Sequence, residues 1–237
     1  MVVRHLGALR NAIASLDDYY RKLRASSTSE KGREKKRRRI MPSDEILFPY
    51  PTSFNGGTQS FQYESQIIKH KLVFLATLTA TGEKVCVKFA RSYSQEVHSF
   101  CAKIGCAQAL RSFEPIPGGW LMIVMDAIDD FDELYGCYEV SKSHPIVEAM
   151  DEKLNEMHRN DFVHGDIRES NIMVSKDRKG FMFLDFDWAG KMGEVRYPMH
   201  VNRVDFPARP DGALDGELIL AEHDKEMMQT VKNLRCA

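Results

Sequence analysis

The stretch "FVHGDIRESNIMV", residues 162–174, places Asp166, Arg168 and Asn171 within six positions between two apolar ends. Apolar flanks around a polar centre suit a loop between buried segments. By themselves they leave open whether this is a polar turn or a loop that handles a phosphate and a metal ion. Downstream, "NIMV" and "FMFLDF" read as two short strands on either side of the polar "SKDRKG", whose Gly180 suits a hairpin turn. Such a hairpin brings Asn171 and Asp185 together from opposite strand ends, beside Asp166. Hard divalent cations such as Mg²⁺ favour oxygen ligands. Phosphoryl transfer demands a placed nucleophile, a metal on the phosphates and neutralisation of developing charge. Asp166, Asn171 and Asp185, together with a lysine, meet those demands.

The lysine is found upstream. "KLVFLATLTATGEKVCVKFA", residues 71–90, reads as strands over 72–79 and 84–90 joined by a tight turn at Gly82. Alternation points Val85, Val87 and Phe89 one way and Cys86 and Lys88 the other. A mid-strand lysine alone is more often on a solvated sheet face than in a site. The next segment, "RSYSQEVHSFCAKIG", is helix-compatible, with Val97, Phe100, Cys101 and Ile104 roughly on one face, and places Glu96 where its carboxylate is expected to meet Lys88. "WLMIVMDAIDD" reads as a buried strand over 120–125 running into an acidic connector. Residues 145–159 then carry Ile146, Met150, Leu154 and Met157 at helical spacing, with Ser143 the expected N-cap and Pro145 in the first turn.

The order of these pieces resembles the protein-kinase-like superfamily over residues 61–231. "VCVKFA" looks like the strand whose lysine, Lys88, grips the α and β phosphates of ATP, with Cys86 on the same face and Glu96 as the ion-pair partner. "HGDIRESN" is similar to the catalytic loop. The resemblance makes Asp166 the group that orients or deprotonates the acceptor hydroxyl and Asn171 a metal ligand. "LDFDWAG" looks like the metal-binding DFG segment, with Asp185 the principal Mg²⁺ ligand. "IVMDAI" resembles the hinge, where backbone groups of Asp126 and Ile128 would hydrogen-bond adenine, and "EHDKEMM" places Asp224 on the helix that buttresses the catalytic loop. With "FPYPTSF" ahead of it, the ensemble is similar to kinase-like proteins of mushroom-forming fungi. The HGD form is also similar to RIO-type kinases and aminoglycoside phosphotransferases.

The resemblance implies an α+β, two-lobed fold with a small antiparallel-sheet N-lobe (about 61–128) and a shortened helical C-lobe (about 129–237), within a kinase-like domain spanning 43–237. It implies ATP and Mg²⁺ as cofactors and a protein or small-molecule hydroxyl as acceptor. Several positions depart from the pattern. No glycine lies between Gly57 and Gly82, so the Gly-rich phosphate cover is missing. Gly165 stands where protein kinases usually carry an arginine that senses a phosphorylated activation loop. Arg168 stands where they carry a phosphate-contacting lysine, and Asp187 replaces the glycine of DFG. There is no APE motif, and the late helices of a full kinase lobe are expected to be absent. Three readings stay open: an active phosphotransferase, a pseudokinase interaction module with or without nucleotide, and a nuclear binding protein using a basic run.

That run, "KGREKKRRR", ends a polar stretch over 25–42 that follows an expected amphipathic helix over 1–24, striped by Leu6, Leu9, Ile13, Leu16, Tyr20 and Leu23. It reads as an exposed linker or a nuclear localisation signal. Direct nucleic-acid binding is disfavoured by the lack of interleaved aromatics and by a net charge of −1. Five irregularly spaced cysteines do not make a secreted disulfide framework, and Cys101 with Cys106 lacks the second pair of a zinc site. No stretch approaches the roughly 20 apolar residues that span a bilayer. The expected location is cytoplasmic or nuclear, without membrane attachment.

Overall fold

Alternating apolar residues and a left-handed glycine turn the first strong hairpin back on itself. The two strands are Val73–Leu78 (β3) and Lys84–Ala90 (β4), with Gly82 at φ 74° between them. These assignments come from a computed structural model that describes residues 48–69, 71–202 and 209–235. The expected N-terminal helix and the basic run lie outside the described residues. Residues 46–237 form one compact unit of the chain.

Around the hairpin an antiparallel sheet of six strands is built in the order β1-β2-β3-β4-β6-β5. The added strands are Ser53–Phe54 (β1), Gln59–Gln66 (β2), Leu110–Ile116 (β5) and Trp120–Asp126 (β6). Val85, Val87 and Phe89 point to one side and close a core with Phe54, Phe61, Phe74, Met122 and Val124. Cys86 points to the other, with Ala90, Ile123 and Met125. The Lys88 face is therefore an interior face, and Lys88 itself is buried.

The helix after β4 is Gln95–Lys103 (α1). Ser94 caps it by accepting the amide of Val97 at 3.3 Å. A second helix, Pro145–Arg159 (α2), buries the Ile146, Met150, Leu154 and Met157 stripe. Its N-cap is His144, whose ring nitrogen accepts the Ile146 amide at 3.2 Å, and not the expected Ser143. Three short strands form a second antiparallel sheet, with Ile172–Ser175 (β9) between Phe181–Phe183 (β10) and Phe131–Glu133 (β7). In the β9–β10 turn the left-handed position falls on Arg178, at φ 59°. Gly180, the expected turn residue, instead donates its amide to Ser175 Oγ at 2.8 Å. Phe162–Val163 (β8) pairs with Gly190–Lys191 (β11), and Ala221–Leu234 (α3) closes the chain's described part. One apolar core joins α1, α2, α3 and the β9–β10 hairpin. Among the described residues no helix is long and apolar enough to cross a membrane.

Candidate active site

The segment between β8 and β9 is held from below by a buried carboxylate. Asp224, from the first turn of α3, accepts the amides of His164 and Gly165 at 2.8 Å each and faces His158 Nε2 at 3.1 Å. Gly165 sits at φ 79°, and a β-carbon there would come within 2.8 Å of Ile219 Cδ1. An arginine at this position would be strained in backbone and in space. His164 ties the segment to the next element, with Nε2 at 3.0 Å from the Leu184 carbonyl.

This frame presents Asp166 and Asn171 together. Asn171 Nδ2 donates to the Asp166 carbonyl at 3.0 Å and to Asp166 Oδ2 at 2.8 Å, which fixes the orientation of the amide. Arg168 Nη2 lies 3.2 Å from Asp166 Oδ2. A residue that sequence reasoning missed completes the cluster: Arg209 Nη2 donates to Asp166 Oδ1 at 2.7 Å, its guanidinium stacked 4.5 Å from the Trp188 ring centre. Arg209 lies 43 residues away in sequence and in no regular element, so no local signal marked it.

Asp185 leaves β10 in the left-handed region, at φ 68°, and turns its carboxylate into the cleft. Lys88 Nζ lies 2.5 Å from Asp185 Oδ1 and 2.5 Å from Asp187 Oδ1. Lys71 Nζ, from the connection between β2 and β3, lies 2.6 Å from Asp185 Oδ2. The ion pair expected between Lys88 and Glu96 is not formed: Glu96 is exposed and lies 3.4 Å from Lys191. The helix explains why. The side of α1 turned inward is that of Val97, His98 and Cys101, and two residues separate roughly 200° around an α-helix, so presenting His98 turns Glu96 away. His98 stacks on Phe186 at 4.9 Å, 10° from parallel. Tyr93 Oη lies 2.7 Å from His98 Nδ1, and His98 Nε2 lies 2.9 Å from the Gln108 carbonyl. This network suits a neutral ring that accepts from Tyr93 and donates to Gln108.

Burial and charge set the protonation states. Burial raises the Asp185 carboxyl, but the ammonium groups of Lys88 and Lys71 outweigh it and hold its pKa well below the usual range. Burial, with the charge of Asp185 assisting, lifts Asp187 to about 6 against the pull of Lys88. For Lys88 burial disfavours the charged form, yet the two carboxylates win and raise its pKa. The Cys86 thiol is pushed up to about 12, chiefly by burial, and is no nucleophile at neutral pH. Burial is also the main reason that His98 falls to about 4.

A cleft of about 240 Å³ opens beside these groups. Its walls include Val73, Leu75, Cys86, Met125 and Leu184, with Ala127 and Ile128 at the end of β6 and Lys71, Lys88, Asn171 and Asp185 at the other side. Asp126 pairs outward with Arg111, its amide spent on the Ala109 carbonyl at 3.0 Å. The donor set suits a hard divalent cation. Among the described residues no hydrogen bond uses Asn171 Oδ1, and the Asp185 carboxylate already gathers positive charge from two ammonium groups.

A lysine paired to a strand-end aspartate, an aspartate–asparagine loop pinned by a buried carboxylate, and a cleft between a sheet and a helical part define the two-lobed α+β protein-kinase-like fold. Solved structures share it. The kinase PK-1 of Cydia pomonella granulovirus superposes with a TM-score of 0.60 at 16% sequence identity, over 73% of this chain and 67% of its own. Vaccinia related kinase 3 does so with a TM-score of 0.59 at 13% identity, over 80% of this chain and 69% of its own. At those identities the likeness is one of fold. No protein-family model and no curated protein matches the chain by sequence.

Proposed function

We propose that this protein is an ATP- and Mg²⁺-dependent phosphotransferase that moves the terminal phosphate of ATP to a hydroxyl acceptor, a protein serine or threonine or a small alcohol. The observation that carries this reading is that Lys88, Asn171 and Asp185 line one cleft, with Asp166 hydrogen-bonded to Asn171. Adenine would lie between Val73, Leu75 and Met125, against the carbonyl of Asp126 and the backbone of Ile128. Lys88 would hold the inner phosphates. Asp187 would set the position of its ammonium, the part that the sequence reading assigned to Glu96. Asn171 Oδ1 and Asp185 would ligate Mg²⁺, whose charge would neutralise the phosphate oxygens. Asp166 would orient or deprotonate the acceptor hydroxyl, and Arg168, beside it, would face the transferred group. The similarity of the HGD loop to small-molecule phosphotransferases supports an alcohol as strongly as a peptide acceptor.

A second reading, an interaction module that keeps the kinase-like fold without turnover, has its own support. Both oxygens of Asp166 are engaged, Oδ1 by Arg209 and Oδ2 by Asn171 and Arg168. Both oxygens of Asp185 are engaged by lysines. Calorimetric titration with ATP, with and without Mg²⁺, tests the catalytic reading at its first requirement. The expected result is Mg²⁺-dependent binding to the wild type that Asp185→Asn abolishes. An absence of ATP binding to the wild type would overturn it in favour of the second reading.

A further inference from the structure

The connection between β2 and β3, residues 67–72, stands where a Gly-rich turn would offer backbone amides to phosphates. It contains no glycine, and hydrogen bonds tie its two ends. The Ile67 amide donates to the Val73 carbonyl at 2.8 Å, the Lys71 amide to Ile68 at 3.0 Å and the Val73 amide to Lys71 at 2.9 Å. From the strand side, Gln66 Nε2 donates to the Lys71 carbonyl at 2.9 Å. Without glycine the turn lacks the close backbone approach that a Gly-rich turn gives an anion. It does supply a side chain: Lys71 reaches down to Asp185 Oδ2 at 2.6 Å, across the carboxylate from Lys88. Lys71 and Lys88 are the two cationic side chains lining the cleft among the described residues.

We propose that Lys71 is a second phosphate-binding residue of the cleft, which takes over by its side chain the anion recognition that a Gly-rich turn performs with backbone amides. This rests on the nucleotide-binding reading above. The chemistry of the pair fits. Asp185 holds both ammonium groups at one point, and a polyphosphate arriving with its cation would claim Asp185 for the metal and leave both lysines for phosphate oxygens. The two lysines differ in freedom. The Lys88 side chain is 10% exposed and anchored by Asp187 as well, whereas that of Lys71 is 43% exposed and has Asp185 as its carboxylate partner. Lys71 is therefore the one able to follow the phosphates without dismantling the buried pair. Lysine in this role acts as a point charge on a flexible stem, tolerant of where the phosphate settles.

The experiment compares calorimetric affinities of MgATP and adenosine for the wild type, Lys71→Met and Lys71→Arg. The expected result is a loss of roughly ten- to a hundredfold for MgATP in Lys71→Met, the effect of removing one charge-assisted hydrogen bond. Adenosine affinity should not change, and Lys71→Arg should recover most of the loss. Equal or tighter MgATP binding by Lys71→Met would overturn the proposal and reduce Lys71 to a plug on Asp185, while nucleotide binding by the wild type would leave the broader reading standing. A wild type that binds adenosine but gains nothing from the phosphates would overturn this proposal as well. Failure of the wild type to bind either compound would remove both readings together.

Discussion

Asp185 in the cleft and Asp166 beside Asn171 are each held by two cationic side chains, yet they are held differently. At Asp185 one partner is buried and one is partly in solvent; the side chains of Lys88 and Lys71 are 10% and 43% exposed. At Asp166 the principal partner, Arg209, is 5% exposed, stacked on Trp188 and bonded through Nε to the Asn202 carbonyl at 3.1 Å. Releasing an exposed lysine costs little, because water replaces its partner. Withdrawing a buried arginine from a buried carboxylate strands two desolvated charges. The Asp185 end is thus ready to exchange its partners, and the Asp166 end is held by packing.

The largest effect expected is on chemistry. Asp166→Ala should lower phosphate transfer by roughly 10²–10⁴-fold while MgATP affinity stays close to that of the wild type. Full turnover in single-turnover assays would break the division of labour between the two ends. Next comes the support under the Asp166 loop. Asp224→Ala leaves the amides of His164 and Gly165 without their buried acceptor and should cost about 3–5 kcal/mol in denaturant unfolding.

The pH dependence of stability probes the floor beneath Lys88. The folded pKa of His98, about 4, lies below the ordinary value of 6.5, so the unfolded chain takes up this proton first as the pH falls. The His98 contribution to stability should therefore decline between pH 6.5 and about 4, by roughly 3 kcal/mol. Asp187 acts with the opposite sign over most of that window, from about pH 6 downward, because its raised carboxyl takes up a proton first in the folded state, and it offsets much of the histidine's effect on the total. Subtracting the profile of His98→Gln from that of the wild type isolates the histidine. Parallel profiles would show that His98 is not held neutral.

Two substitutions sharpen the comparison directly. Arg209→Met should destabilise the fold by about 2–3 kcal/mol, since Asp166 loses a buried charge-assisted bond. Lys71→Met should change stability by less than about 1 kcal/mol. Equal losses in thermal unfolding would mean that the two ends are held alike.

Much of the cleft was legible before the fold. The β3–β4 hairpin, the α2 stripe and the spacing between Asp166 and Asp185 are local patterns. Strand alternation, helical period and a short hairpin dictate where such side chains point whatever surrounds them. The six-stranded sheet was read only in part: β1, β2 and β5 lack a clean apolar alternation, and Leu110–Ile116 carries arginine, glutamate and proline within it. The N-cap of α2 fell one residue from Ser143 because His144, next to Pro145, offers a ring nitrogen to the same orphan amides.

The sequence by itself marked the candidate residues: a mid-strand lysine, a loop with Asp166 and Asn171, and an aspartate at the next strand end. Only the tertiary structure decided how they pair. Lys88 meets Asp187, 99 residues away, and not Glu96, because the rotation of α1 against the core turns His98 inward. Lys71 meets Asp185 across 114 residues, and Arg209 reaches Asp166 from a segment without periodicity. Local sequence sets the direction of a side chain relative to its own backbone. The partner at its tip depends on how elements pack, and that is a property of the whole chain's buried surface.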